Sequence, residues 1–163
     1  MAQFKTNAMR ILDKEKIPYT VHTYESDGGV VDGVTVAYKI GRDEKQVFKT
    51  LVTRGSSREY YVFVIPVAET LDLKAAARSV GEKSVEMIKV EDINKATGYI
   101  RGGCSPVGMK KEYKTVLDKS CLTLSTIICS AGKIGWQIET VPEELIGLIH
   151  AATADLCEKS ENI

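Results

Sequence analysis

The chain has only two histidines, His22 and His150, and a single tryptophan, Trp136, among its 163 residues. Its four cysteines, Cys104, Cys121, Cys129 and Cys157, are far apart and form no Cys-x-x-Cys pair. Metal sites usually draw two ligands from nearby positions, so this spacing gives no metal pattern, and no cofactor is expected. A disulfide framework is equally unexpected in a chain of this size, and the thiols read as reduced and mostly buried. Charge of one sign is not in excess: 22 basic residues balance 22 acidic ones. Nothing global therefore advertises nucleic-acid or membrane binding, and any RNA contact must come from a local patch. No apolar run approaches the roughly 18 residues that span a bilayer. Charges at Lys5, Arg10, Asp13, Lys14, Glu15 and Lys16 leave no apolar core for a secretory signal, and a cytoplasmic location is expected. Neither a Walker-type nor a dinucleotide-binding glycine pattern occurs.

Start and stop signals are plentiful by contrast. Thr6 or Asn7 can cap a helix that carries Ala8, Met9, Ile11 and Leu12 and stops before Pro18. Tyr19–Tyr24 reads as a strand, Ser26–Gly29 as a turn, and Val34–Ile40 as a short helix ended by Gly41. Two strong strands, Val47–Thr53 and Tyr60–Val67, form a hairpin pattern around Arg54–Arg58. Asp72 caps a helix over Leu73–Val80 that Gly81 closes. A short strand at Val85–Ile88 precedes a helix over Val90–Thr97, ended by Gly98. Further strands are expected at Thr115–Leu117, Thr126–Ser130 and Trp136–Val141, with Ala131–Lys133 turning between the last two. Pro142 opens a helix expected to reach about Cys157, with Glu143 and Glu144 at its positive end. These elements imply one α+β domain over residues 1–157 and a frayed tail over 158–163.

Two local features carry chemical interest. Residues 102–111 read Gly-Gly-Cys-Ser-Pro-Val-Gly-Met-Lys-Lys, which can continue neither helix nor strand. Such a loop lets backbone N–H groups approach a ligand, and the two lysines that follow would place it in a positive field. Lys49 is the second feature, because it interrupts the apolar run Val47–Val52. A lysine there either points into a cleft or snorkels from a strand edge to water. Thr50 beside it faces the opposite way in an ideal strand. Ser105 could be a nucleophile only with a base nearby, and neither histidine sits in a recognisable partner motif. Lys74, Arg78, Lys110, Lys111, Lys114 and Lys119 form local basic clusters, read either as RNA phosphate contacts or as solvated faces.

Three segments taken in order resemble the YbaK/EbsC family: Val47-Phe-Lys-Thr-Leu, the loop Gly102–Lys111, and Ser130-Ala-Gly-Lys-Ile-Gly-Trp-Gln-Ile-Glu. These are trans-editing aminoacyl-tRNA deacylases related to the editing domain of some prolyl-tRNA synthetases. The resemblance runs from the first helix to about Leu148. It implies a compact fold around a mixed, barrel-like sheet with flanking helices, no metal, and hydrolysis of the ester of mischarged Cys-tRNA(Pro). It implies that Lys49 is the catalytic lysine, holding either the ester region or the terminal phosphate. Gly102 and Pro106 match the family's Gly-x-x-x-Pro loop, whose backbone would hold the aminoacyl group, and Tyr24 matches a pocket tyrosine. The implied binding set is Tyr24, Thr50, Gly102, Gly103, Ser105, Pro106, Gly108 and Gln137.

The chain departs from the best-known members at Gln137, where they carry an aspartate. Glutamine keeps hydrogen bonding but removes a charge. In cysteine-specific members the substrate's own thiol attacks its carbonyl, so positioning and oxyanion stabilisation would suffice without a catalytic triad. Three functions follow. The first is Cys-tRNA(Pro) deacylation, the second a deacylase of broader or different amino-acid range, and the third a non-catalytic tRNA- or synthetase-binding module. Near-zero net charge implies weak intrinsic affinity for tRNA and help from prolyl-tRNA synthetase. A monomer or weak dimer is expected, with no membrane partner.

Overall fold

The computed structural model describes residues 4–159. Five helices and eight strands follow in the order α1 (Asn7–Lys14), β1 (Thr20–Thr23), α2 (Gly33–Lys39), β2 (Phe48–Gly55), β3 (Tyr60–Pro66), α3 (Leu73–Val80), β4 (Val85–Met87), α4 (Val90–Thr97), β5 (Lys114–Asp118), β6 (Ile127–Lys133), β7 (Trp136–Thr140), α5 (Pro142–Ile149) and β8 (Ala152–Ala154). A 3-10 turn over Lys119–Thr123 lies between β5 and β6. The caps act where the sequence places them. The Thr6 hydroxyl accepts from the Met9 amide, and the Asp72 carboxylate accepts from the amides of Lys74 and Ala75. Each such cap stabilises its helix by about 1 kcal/mol. Gly81 and Gly98 end α3 and α4 in the left-handed conformation.

The α+β class holds, while the expected barrel-like sheet is divided in two. One sheet has the order β1-β7-β6 and is antiparallel; the other, β4-β2-β3-β5-β8, is mixed. They meet where Val47 bridges Ile128 in parallel and the Ile128 amide donates to the Gln46 carbonyl over 3.0 Å. β3 is buried on both faces, which explains its unbroken apolar run. Val62 and Val64 face a core built with α1, Phe48, Leu117, Ile138 and Leu145. Tyr61, Phe63 and Ile65 face a second core with Ala76, Ala77 and Val80 of α3 and Leu156. A third cluster, Ala37 with Val47, Val67 and Ile128, packs α2 over the junction of the sheets.

Two expected boundaries are corrected. The last helix stops at Ile149 rather than near Cys157, because His150 turns left-handed at φ 53° and the chain then forms β8, parallel to β5. Sheet pairing outweighs local propensity there, and Leu156 enters the second core. The turn expected at Ala131–Lys133 moves onward, since β6 carries a bulge between Ser130 and Lys133 that absorbs Gly132 at φ 101°. Residues 160–163 of the expected tail lie outside the described residues, while the Glu158 amide donates to the Thr70 carbonyl over 2.8 Å. Cys104, Cys121 and Cys129 are buried free thiols, and Cys157 is partly exposed.

Candidate functional site

At the junction of the two sheets a cavity of about 380 Å³ opens to solvent. Its walls come from Tyr24 beyond β1, Val30–Val34 and Val36 around the start of α2, Val47 and the β2 residues Phe48–Leu51, Arg101, Gly102 and Cys104 of the glycine-rich loop, Ser130 of β6 and Gln137 of β7. Helix α2 covers one side and is fixed by its cap. Both Asp32 carboxylate oxygens accept from Thr35, from the amide at 3.1 Å and from the hydroxyl at 2.7 Å. Gly33 allows this closeness, since a β-carbon there would lie 2.4 Å from Val67 Cγ1.

Lys49 and Thr50 both line this cavity, although successive strand residues face opposite ways. The cavity follows an open edge of β2. Strand β3 pairs with β2 from Phe48 to Arg54, but β4 reaches only Thr53–Gly55 on the other side. The Val52 carbonyl accepts from the Ile88 amide on that side. Alternation then directs the backbone polar groups of Thr50 to the same edge, beyond the end of β4. The Thr50 hydroxyl oxygen is buried and has no hydrogen-bond partner, a costly state unless a ligand completes it. Lys49 is half-buried, and no ion pair or hydrogen bond engages its ammonium among the described residues. Burial pulls its pKa below the usual lysine value, against the charges of Cys157 and Glu69. The Cys157 thiol is itself pushed up to about 12 by burial and Asp118, so at neutral pH only Glu69 opposes.

Gln137 is 5 % exposed, and its side-chain amide has no partner among the described residues. It lies opposite His22 in the β1–β7 ladder, on the face that Tyr24 also reaches. Ser130 is committed, as its hydroxyl accepts from the Gly132 amide over 3.1 Å. The wall thus offers an unpaired amide beside one cation, and Thr50 adds a buried hydroxyl without a partner.

The glycine-rich loop is held at several points. The Gly103 amide closes a turn onto the Ile100 carbonyl (2.9 Å), with Gly102 left-handed at φ 86°. The Tyr99 hydroxyl donates to the Val107 carbonyl over 2.6 Å, and Asn7 Nδ2 donates to the Gly108 carbonyl over 3.2 Å. Of the loop residues anticipated from sequence, Gly102 lines the cavity. Gly103 packs instead on the β6–β7 turn. Ser105 is 0 % exposed, and its hydroxyl accepts from the Val107 amide, so it has no free face for nucleophilic attack. Pro106 and Gly108 line a separate cavity with Ile11 and Leu148. Lys110 and Lys111 also lie away from the main cavity, whose cations are Lys49 and Arg101. Sequence reading passed over Arg101 because a lone arginine beside a glycine turn reads as a solvated residue.

The histidines serve other purposes. His22 Nε2 lies 2.7 Å from Glu139 Oε1, which also accepts from Arg42 (2.9 Å), while Glu139 Oε2 accepts from Thr126 and Gln46. Burial pushes the Glu139 pKa up, but the Thr126 and His22 hydrogen bonds and the Arg42 charge outweigh it and hold the carboxylate low. His150 caps α5 at the surface. Cys104 lines the cavity as a thiol, because burial pushes it up to about 11. The cavity therefore offers a cation, hydrogen-bonding groups and a strand edge, which suit holding and polarising a carbonyl. Among the described residues no group of three or more His, Cys, Asp or Glu could hold a metal ion, and no helix is long and apolar enough to cross a membrane.

Residues 30–148 match the model of the aminoacyl-tRNA editing domain. Over 157 residues the chain is 43% identical to EbsC of Enterococcus faecalis, provisionally named a Cys-tRNA(Pro)/Cys-tRNA(Cys) deacylase, and the match covers 96% of both chains. A crystal structure described as a candidate trans-editing enzyme for prolyl-tRNA synthetase is similar with a TM-score of 0.80 and 25% identity, covering 96% of this chain and all of that one, 100%. A scaffold protein used for computational epitope grafting is equally similar in fold, with a TM-score of 0.83 and 25% identity over 96% of this chain and 100% of that one.

Proposed function

The chain belongs to the aminoacyl-tRNA editing domain family, and on that premise we propose that it hydrolyses the ester of mischarged aminoacyl-tRNA, with Cys-tRNA(Pro) as its principal substrate. The observation that carries this reading is the grouping of Lys49, Thr50, Gln137 and Gly102 around one cavity, with an unpaired amide at Gln137 and a buried, unpaired hydroxyl at Thr50. Lys49 is assigned to the ester carbonyl, where its charge stabilises the oxyanion as it forms. Thr50 and Gln137 bind the aminoacyl group, with Gly102 and the turn behind it shaping the wall.

No side chain of the cavity is placed as an activated nucleophile, and the resemblance to cysteine-specific deacylases implies that the substrate's own thiol attacks. The cysteinyl sulfur forms a bond to its own carbonyl carbon, the carbon–oxygen bond to the ribose breaks, and the thiol proton passes to the departing ribose oxygen. Water then opens the resulting thiolactone to free cysteine. A second reading, a deacylase of broader amino-acid range, is favoured by Gln137, whose neutral amide offers both a donor and an acceptor. We also assign prolyl-tRNA synthetase as a partner that supplies tRNA affinity, given the zero net charge of the chain.

The test is loss of the aminoacyl group from a panel of charged tRNAs. Cysteine release from tRNA(Pro) is expected to exceed alanine or serine release, and Lys49→Ala should slow it by about 100-fold or more, the scale of losing an oxyanion donor. Faster release of alanine or serine would replace the thiol-assisted route with the second reading. Undiminished activity in Lys49→Ala would remove Lys49 from catalysis.

A further inference from the structure

Two cations line the cavity at different depths. Lys49 is half-buried on β2, whereas Arg101 is exposed at the rim. Arg101 stands at the corner of the turn that Gly103 closes onto Ile100, and its position is set by the left-handed Gly102 that follows. A β-carbon on Gly102 would approach Val30 Cγ1 to 3.2 Å, so the turn is seated against the wall of the cavity. Among the described residues no hydrogen bond or ion pair engages the Arg101 guanidinium. The one acid lining the same cavity, Asp32, is occupied at the start of α2 by Thr35.

An aminoacyl ester at an RNA 3′ end presents one carbonyl and, across its ribose, one phosphodiester. A buried cation and an exposed one match that pair. We propose that Arg101 is a positioning residue that holds the terminal phosphodiester of the aminoacylated RNA end, which leaves Lys49 to the ester carbonyl. The proposal rests on the deacylase reading above. The planar guanidinium can donate two parallel N–H bonds to phosphate oxygens, which a lysine cannot reproduce. A contact made equally in the ground and transition states lowers KM without raising kcat, and the phosphate contact of Arg101 is assigned to that kind.

Cysteine esterified to adenosine 5′-monophosphate and cysteine esterified to adenosine differ only in that phosphate. The intact protein should hydrolyse the phosphate-bearing ester with a KM lower by about tenfold, the effect of a charge-assisted hydrogen-bonded contact. Arg101→Ala should raise KM for that ester alone and leave kcat unchanged, and Arg101→Lys should restore part of the difference. The same contact is read without turnover by titrating adenosine 5′-monophosphate against adenosine, where the preference should vanish in Arg101→Ala. Equal use of the two esters by the intact protein, or an equal loss on both in Arg101→Ala, overturns the proposal. Hydrolysis of neither ester would count against the deacylase reading, and the nucleotide titration would then decide the role of Arg101.

Discussion

A β-carbon added to Gly103 would lie 3.0 Å from the amide nitrogen of Ile134 and 3.2 Å from the backbone of Lys133. The glycine-rich loop and the β6–β7 turn are therefore locked backbone to backbone. Gly102 and Gln137, which stand on either side of this contact, are held in fixed relation across the cavity. Backbone on both sides leaves no flexible side chain to yield. Gly103→Ala should cost about 1–3 kcal/mol in urea unfolding, the usual penalty of overpacking. It should also lower deacylation, because the loop must move by tenths of an ångström. A variant with unchanged stability and activity would show slack in the contact.

The unpartnered hydroxyl of Thr50 gives a prediction with opposite signs in two measurements. Valine has nearly the same shape but no buried polar atom to satisfy. Thr50→Val should leave stability unchanged or raise it by about 1 kcal/mol. If the hydroxyl serves the substrate, deacylation should fall by about tenfold at the same time. Loss of stability together with activity would instead mark Thr50 as a structural residue.

Far from the cavity, Glu82 joins the β2–β3 turn to the end of α3. It accepts from the Ser57 hydroxyl and amide, from Tyr61 over 2.7 Å and from Ser56 over 3.1 Å. The Ser57 hydroxyl, followed by Tyr61, holds the Glu82 carboxyl at about 2, below its ordinary 4.5. In turn Glu82 pushes the Tyr61 phenol up to about 12. A depressed carboxyl stabilises the fold above its unfolded value, and that contribution is lost as pH falls from about 4.5 toward 2. The phenol's contribution is present below 10 and disappears as pH rises through about 12. The gap in urea midpoint between the intact protein and Glu82→Ala should accordingly be widest near neutrality and close on acidification. A gap independent of pH would locate the effect in packing.

Much of the fold was legible where one residue decides a local event. Thr6, Asp72, Gly81 and Gly98 each act on their own helix, so their effect needs no knowledge of the rest of the chain. The end of α5 was not legible, because the sequence Leu-Ile-His-Ala-Ala carries no breaker and the helix yields to β5, some thirty residues earlier in the chain. Around the cavity, Lys49 was visible as a charge in an apolar run, and Tyr24, Gly102 and Gln137 through their motifs. Thr50 was harder to read. Its access depends on β4 stopping short, a length that the sequence of β2 does not encode. Arg101 carried no signal, since its place on the wall comes from the turn that follows it.

The ladder of β1 with β7 joins Thr20 to Glu139, more than one hundred residues apart. Tyr24 and Lys49 come from the first part of the chain, Gly102 and Gln137 from the later part. A chain emerging from the ribosome therefore has the lysine long before it has Gln137, and pairings at such separation form late. Catalytic competence and completion of the small sheet become one event. A partly made chain lacks a complete site, so the protein polices translation only once its own translation is nearly finished.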